Sequence, residues 1–163
     1  MSNIETIYQK KEHRQHIYDL PDTYIGSAVQ TALQDTWVIE NENVIQKDIK
    51  YVPGLYKIFD EVLTNASDHK VRSSMQQDTR EVKNIKVHVT DEYISVENDG
   101  TGIDVEIHPK EKVYVPEMIF GQLLTSTNYK KDDQKTWGGK NGYGAKLANI
   151  FSKWFEVETV DLN

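Results

Sequence analysis

The sequence Gly138-Gly139-Lys140-Asn141-Gly142-Tyr143-Gly144 places four glycines within seven residues. It leads directly into a predicted helix over 145–152, with Lys146 in the first turn. Backbone N–H groups of such a loop and the N-terminal end of a helix dipole both attract anions. We therefore interpret the segment as a phosphate cradle. The alternative is a glycine-rich connection that binds no ligand.

This loop matches neither of two common nucleotide-binding fingerprints. Gly139 is followed five residues later by Gly144, but Ala145 stands where a P-loop requires lysine. After Gly142 and Gly144, Leu147 occupies the last position of a G-x-G-x-x-G pattern. The sequence therefore excludes the P-loop and Rossmann fingerprints on this segment.

A helix predicted over 55–69 carries a second set of polar residues. Its apolar side chains follow the i, i+3, i+4, i+7 spacing of an amphipathic helix. Glu61, Asn65 and Asp68 fall on a stripe beside that apolar face. A carboxylate there could orient or deprotonate a water, and the neutral oxygen of Asn65 suits Mg²⁺. The alternative is a solvated flank of an ordinary helix.

The third motif, Asn98-Asp99-Gly100-Thr101-Gly102, follows a strand predicted at 93–97. That strand is expected to pair with 85–89 as a hairpin. Two glycines at alternate positions allow a backbone to approach a flat ligand closely, and a polar side chain at a strand end can bond a base edge. The alternative is a tight turn, since Asn-Asp-Gly is good turn chemistry.

The remaining segments complete the predicted organisation. Residues 1–20 read as a solvated arm, and 21–27 are rich in turn residues. The other expected elements are strands at 37–39, 44–51 and 155–159, with a helix at 118–124. We predict an N-terminal arm over 1–27 and one domain over 28–163. No closing element follows the last strand, which indicates a fragment truncated at its C-terminus.

Composition excludes several classes of function. There are 19 Lys and Arg against 26 Asp and Glu, a net charge of −7, which argues against a main nucleic-acid surface here. The absence of cysteine excludes disulfides and thiolate chemistry. No apolar run reaches the ~18 residues of a membrane span, so we expect an intracellular protein without membrane contact. His13 and His16 lack an evident third ligand for a metal.

In order along the chain, the E-x-x-x-N helix, the strand ending in N-D-G-T-G and the glycine loop resemble the GHKL ATPases. Longer matches narrow the resemblance to eukaryotic-type DNA topoisomerase II. They lie at 8–11, 21–27, 51–61, 114–116, 119–126 and 141–147. The resemblance implies an α/β two-layer sandwich of the Bergerat type. Its sheet would be mixed and mostly antiparallel, with helices on one face.

The resemblance also implies roles for individual residues. Glu61 would activate the water that attacks the γ-phosphate, and Asn65 would hold Mg²⁺. Asn98 would contact the adenine of ATP, and Gly102 would make room for it. The expected ribose and triphosphate contacts are Ser126, Thr127, Asn128, Gly139, Lys140, Asn141, Gly142, Tyr143, Gly144, Ala145 and Lys146. Tyr8, in the arm used for dimer exchange, would reach the nucleotide of the partner protomer.

The implied activity belongs to a larger protein. ATP binding would close a homodimer at the N-terminal gate, coupled to passage of one DNA duplex through a double-strand break. Residues that cleave DNA would lie outside this chain, and double-stranded DNA would be bound by the full-length protein. We expect an ATP-hydrolysing type II topoisomerase located where DNA is: the nucleus, or a viral factory or virion. The fragment alone should be weakly active.

Several positions depart from the family pattern, and the stretch 14–20 differs from the usual leucine-rich sequence with an arginine before proline. Lys140 stands where arginine is frequent, His69 where asparagine is usual, and Thr101 replaces a common lysine.

One competing hypothesis is another GHKL protein, such as a chaperone or kinase, which would lack the longer matches. A second is a non-catalytic module with a vestigial site. The joint presence of Glu61, Asn65 and Asn98 with Lys146 argues against it.

Overall fold

The computed structural model describes residues 10–76, 79–125 and 142–163. The described residues up to Lys57 form one compact unit, and those from Ile58 form a second. The elements, in chain order, are α1 His13–Asp19, α2 Pro21–Tyr24, β1 Thr31–Glu40, β2 Asn43–Tyr51, α3 Pro53–Met75, β3 Ile85–Val89, β4 Ile94–Asn98, α4 Val115–Gly121 and α5 Gly144–Phe151.

In the first unit, β1 and β2 contain the strands predicted at 37–39 and 44–51, and they pair as an antiparallel hairpin. The strand β1 begins at Thr31, six residues before the predicted start. Asn41 and Glu42 make the turn with φ angles of 50° and 65°. Positive φ at both central residues is the type I′ geometry, whose twist matches that of the flanking strands.

Residues 13–24 differ from the predicted solvated arm and turn. They form α1 and α2, and Ile17 on α1 is fully buried. His16 Nδ1 lies 2.9 Å from the Tyr24 hydroxyl, which joins the two short helices. Ile17 stands among polar and charged residues, so this segment has no periodic apolar pattern from which a helix could be predicted. The proposed exchange role of residues 1–27 stays a prediction.

The long helix α3 was predicted over 55–69 and extends to Met75. Its last turns hold the segment before β3. The amide of Val82 donates to Ser73 Oγ at 3.0 Å, and Lys70 Nζ donates to the Val82 carbonyl at 3.0 Å. Val82 itself is fully buried. These contacts favour the extra helical turns, because they are made only when residues 70–73 are helical.

In the second unit, β3 and β4 pair as the predicted antiparallel hairpin, with Ile85 opposite Asn98. Among the described residues, the strands form two separate two-stranded sheets. The helix α4 begins at Val115, three residues before the predicted start. Pro116 lies in its first turn, where a missing N–H costs the helix nothing.

The strand predicted at 155–159 is wrong. Residues 159–161 run beside 102–105, joined by one backbone bond from Gly102 N to the Val160 carbonyl at 2.8 Å. The amides of Ile103 and Val105 instead donate to the side chains of Thr159 and Asp161, each at 2.8 Å. Because side-chain oxygens accept these hydrogen bonds in place of backbone carbonyls, no regular β-ladder forms. The segment with the alternating sequence is therefore extended but is not a β-strand.

In the three ranges that the structure describes, no helix combines the length and the apolar character required to cross a membrane.

Candidate functional site

One stripe of α3 carries the polar residues of the candidate site. Glu61, Asn65 and His69 follow one another at four-residue intervals, which places them on the same helix face. Glu61 and His69 are partly buried, and Asn65 is exposed. At 1.5 Å per residue, Glu61 and His69 are separated by roughly 12 Å along the helix axis. The stripe therefore has two distinct ends.

At the first end, the Glu61 carboxylate lies against Gly144, the first residue of α5. A Cβ added to Gly144 would overlap Glu61 Oε2 and would lie 3.3 Å from Glu61 Cδ. An alanine here would therefore displace the carboxylate, which is the far end of a flexible side chain, from this close approach. The structure brings together two predicted site residues that are far apart in sequence, one on the helix and one at the end of the glycine loop.

Lys146 lies in the first turn of α5 and is buried, with 6% of its surface exposed. Burial lowers the pKa of its amino group to about 8. The Nζ donates to the carbonyl of Thr125, the residue just before the predicted Ser126 contact. Asn149 Nδ2 donates to the Phe120 carbonyl at 3.1 Å, which fixes α5 to α4. The lysine is thus held inside the second unit.

At the other end of the stripe, His69 meets Asn98, the last residue of β4. Burial and the nearby Arg72 guanidinium lower the pKa of His69, and hydrogen bonding with the Asn98 side chain and the Thr101 backbone opposes this shift. The Asn98 Oδ1 also accepts a bond from the Gly100 amide at 3.3 Å. A cleft of about 90 Å³ beside Asn98 is too small for a nucleotide, because typical ligand pockets exceed ~300 Å³.

Two neighbours of Asn98 have structural roles that the sequence did not reveal. Asp99 Oδ1 accepts bonds from the amides of Lys83 and Asn84 at 2.8 and 2.9 Å. These bonds, with one from the Asn84 side chain, hold the pKa of the Asp99 carboxyl well below its usual range. Thr101 Oγ1 accepts from the Arg80 amide at 2.7 Å. The Asn98–Gly102 segment is therefore also an anchored turn.

Gly102 has a packing reason to be glycine. A Cβ there would overlap Thr159 Oγ1 and would lie 2.5 and 2.7 Å from the backbone O and N of Val160. Backbone atoms cannot move aside as a flexible side chain can. The predicted role of Gly102 in making room for adenine stays a prediction beside this observed one.

Replacing Gly102 by alanine is expected to destabilise the fold by about 1–3 kcal/mol, through overlap in a packed region. Urea denaturation monitored by circular dichroism measures the change. The matched control is Gly121→Ala, where no heavy atom lies within 4 Å of the added Cβ. Equal stability of the two variants would contradict the packing role.

Several predicted site residues lie outside the described ranges: Tyr8, Ser126, Thr127, Asn128, Gly139, Lys140 and Asn141. Of the glycine loop, the structure describes its end. Gly142 has φ of 67°, a left-handed conformation that glycine adopts without strain. In the described part of the chain, no group of three His, Cys, Asp or Glu could hold a metal ion. A Mg²⁺ carried by phosphates needs no such cage.

Comparisons with known proteins agree with the motifs. The family described as "Histidine kinase-, DNA gyrase B-, and HSP90-like ATPase" matches residues 51–162. The DNA topoisomerase 2 of Meyerozyma guilliermondii is 53% identical over 160 residues, covering 96% of this chain and 11% of the relative. That of Acanthamoeba polyphaga mimivirus is 49% identical over 167 residues, covering 99% and 13%. The chain thus spans about a tenth of these relatives.

Solved structures give the same result. The ATPase region of Saccharomyces cerevisiae topoisomerase II matches with a TM-score of 0.80 and 48% identity, covering 91% of this chain and 38% of that chain. The ATPase and transducer domains of DNA topoisomerase II from Balamuthia mandrillaris match with a TM-score of 0.81 and 46% identity, covering 91% and 37%. The predicted fold class and the resemblance to topoisomerase II are confirmed.

Proposed function

We propose that this chain, a member of the histidine kinase-, DNA gyrase B- and HSP90-like ATPases, binds Mg²⁺ and ATP along α3. Within that family, the chain matches DNA topoisomerase 2 and the ATPase region of topoisomerase II. The observation that carries the proposal is the Glu61 carboxylate against Gly144. It joins a potential general base to the helix that follows the glycine loop. Hydrolysis of the terminal phosphate would take place at this end of the stripe.

The N-terminus of α5 supports a triphosphate here. The first N–H groups of a helix have no acceptor within the helix and point at anions. Gly142, Tyr143, Gly144 and Ala145 would offer backbone groups, and Lys146 its positive charge. The contacts proposed for Gly139, Lys140 and Asn141 would continue the same cradle. Ser126, Thr127 and Asn128 would contact the ribose and phosphates.

In the proposed reaction, Glu61 accepts a proton from a water molecule. The water oxygen forms a bond to the γ-phosphorus, and the bond from that phosphorus to the β–γ bridging oxygen breaks, giving ADP and phosphate. Asn65, one turn along α3, would hold Mg²⁺ through its carboxamide oxygen. When bound, the ion would neutralise charge that develops on the phosphates.

The adenine base of ATP would lie at the other end of the stripe, in contact with Asn98. The roughly 12 Å between the two ends of the stripe would separate base recognition from phosphate chemistry. Gly102 would remain the glycine that lets the turn approach the ring.

The whole protein is proposed to be an ATP-hydrolysing type II DNA topoisomerase. Binding of ATP would close a homodimer, with Tyr8 reaching the partner's nucleotide, and would couple to DNA passage. The net charge of −7 supports a main DNA-binding surface that lies elsewhere in the protein. The protein would act where DNA is kept, in a nucleus or a viral factory. This chain alone would turn over ATP slowly.

The test is a calorimetric titration with a non-hydrolysable ATP analogue and Mg²⁺. Asn65→Ala is expected to weaken binding about tenfold, the loss of one ligand-orienting contact. The matched control is Thr64→Ala, an exposed neighbour on the same helix. Chelating the ion should remove the difference between wild type and Asn65→Ala. A loss that persists without Mg²⁺, or no loss at all, would contradict the metal role.

A wild type that stays folded yet binds nothing at millimolar nucleotide is tested again in a chain extended past residue 163. Binding there would locate the missing contacts beyond this chain. Absence of binding there as well would favour the vestigial site.

A further inference from the structure

The side chains of Lys146 and Asn149 stand three residues apart on α5, so they share one face of that helix. Both donate hydrogen bonds to backbone carbonyls at the C-terminal end of α4. Lys146 Nζ donates to the Thr125 carbonyl, and Asn149 Nδ2 donates to the Phe120 carbonyl at 3.1 Å. The face of α5 that carries the predicted phosphate-binding lysine is therefore attached to this end of α4 at two points.

The end of α4 offers these acceptors because of its position. The last carbonyls of a helix have no donor within the helix, and Phe120 is the penultimate residue of α4. Thr125 is tied to the same turn, since its Oγ1 lies 2.9 Å from the Met118 carbonyl oxygen and 2.8 Å from that of Gln122. The two acceptors that α5 uses thus belong to one small structural unit.

Apolar packing holds α5 in place but does not by itself fix the rotation of the helix about its axis, because burial of apolar surface is non-directional. Four apolar residues of α5 are buried: Ala145, Leu147, Ala148 and Ile150. A hydrogen bond has a preferred distance and angle, so the bond from Asn149 fixes the rotation as well. Lys146 depends on that rotation, because its amino group ends a flexible four-carbon stem.

We propose that Asn149 is a positioning residue that holds α5, and with it the amino group of Lys146, in the orientation that binds the triphosphate of ATP. The inference rests on the proposed phosphate contact of Lys146. A lysine ammonium has three donors, so one bond to Thr125 leaves two for phosphate oxygens. The carboxamide of Asn149 is uncharged, so a bound triphosphate attracts it far less than the ammonium, and its bond to Phe120 holds α5 in both states.

The experiment measures affinity for a non-hydrolysable ATP analogue with Mg²⁺ by calorimetry, in the 163-residue chain and in one extended past residue 163. Asn149→Ala is expected to bind about tenfold more weakly, a usual coupling between residues of one network. Asn149→Gln keeps an amide donor and should recover most of the loss. The matched control is Ser152→Ala, which removes a bond within α5, from Ser152 Oγ to the Ala148 carbonyl at 2.6 Å, and should bind as wild type does.

A double-mutant cycle separates positioning from general stability. In the Lys146→Met background, Asn149→Ala should cause no more than about a twofold further loss of affinity, because the group that Asn149 positions is already gone. A residue that only stabilises the fold would lower the affinity by the same factor in both backgrounds, and that result would overturn the proposal.

The amino group of Lys146 provides a readout that needs no nucleotide. Burial lowers its pKa to about 8, and NMR titration of the lysine side-chain carbons, assigned with Lys146→Met, measures this pKa. Without the bond from Asn149, water should reach the amino group more easily. The pKa should therefore rise towards 10.5 in Asn149→Ala and stay near 8 in Ser152→Ala.

The outcomes distinguish the two levels of the inference. If neither chain binds the analogue, or if Lys146→Met binds it as tightly as wild type does, the phosphate contact is wrong and the positioning role is overturned with it. If Lys146→Met weakens binding while Asn149→Ala changes neither the affinity nor the Lys146 pKa, only the positioning role is overturned. If circular dichroism shows that Asn149→Ala does not fold, Asn149→Leu, which keeps more of the side-chain volume, replaces it in every comparison.

Discussion

Replacing Glu61 by glutamine is expected to reduce ATP turnover by about 10²–10⁴-fold, the usual contribution of a general base. Glutamine has nearly the same shape, so the contact with Gly144 is kept, but its amide cannot accept the proton of the attacking water. Nucleotide affinity should change little. Phosphate release measures turnover, in this chain and in one extended past residue 163, and calorimetry measures affinity.

The matched control for this prediction is Glu92→Gln, an exposed glutamate in the turn between β3 and β4. A second variant, Gly144→Ala, keeps the carboxylate but displaces it, since the added Cβ overlaps Glu61 Oε2. It should lower turnover about tenfold through misplacement of the base, whereas Gly121→Ala should not. Normal turnover by Glu61→Gln would rule out the general-base role.

The parts of the fold that the sequence predicts are those governed by local spacing. The β3–β4 hairpin and α3 follow from periods of two and 3.6 residues, which neighbouring positions carry by themselves. Glu61 and Asn65 could be chosen for the same reason, because a four-residue interval places them on one helix face. Their spacing says nothing about Gly144, which the tertiary fold brings against Glu61.

The features that the sequence did not predict depend on contacts between distant residues. The last turns of α3 are favoured by the bonds of Lys70 and Ser73 to Val82. The pattern at 155–159 alternates as a strand does, yet side chains of Thr159 and Asp161 take the bonds that a ladder would make. No local rule distinguishes a polar side chain that caps a neighbouring backbone from one that faces solvent.

Binding of ATP above pH 8 is expected to take up a proton at Lys146. The pKa of the buried amino group is about 8 in the free chain, and an adjacent triphosphate favours the charged form and raises the pKa. The bound state then holds more protons than the free state. Affinity should therefore fall as the pH rises through about 8, by up to tenfold per pH unit.

Calorimetry in two buffers with different ionisation enthalpies counts the proton. The phosphates of ATP contribute little in this window, because phosphate monoesters titrate near pH 6. Lys146→Met should lose the uptake and bind about a hundredfold more weakly, the loss of a charge-assisted contact to phosphate. Lys153→Met, an exposed lysine just after α5, should behave as wild type. Equal proton uptake in both variants would assign the proton to another group.

The same lowered pKa predicts an opposite effect on stability. Between about 8 in the fold and 10.5 in the unfolded chain, the unfolded state binds more protons, so the stability of the wild type rises with pH across this window. Below it, folding must bury the charged amino group, a cost that methionine avoids. Lys146→Met should therefore melt at a higher temperature than wild type at pH 7, and this advantage should shrink towards pH 10. A residue whose replacement stabilises the empty fold while destroying nucleotide binding is retained for its ligand, which a vestigial site would not require.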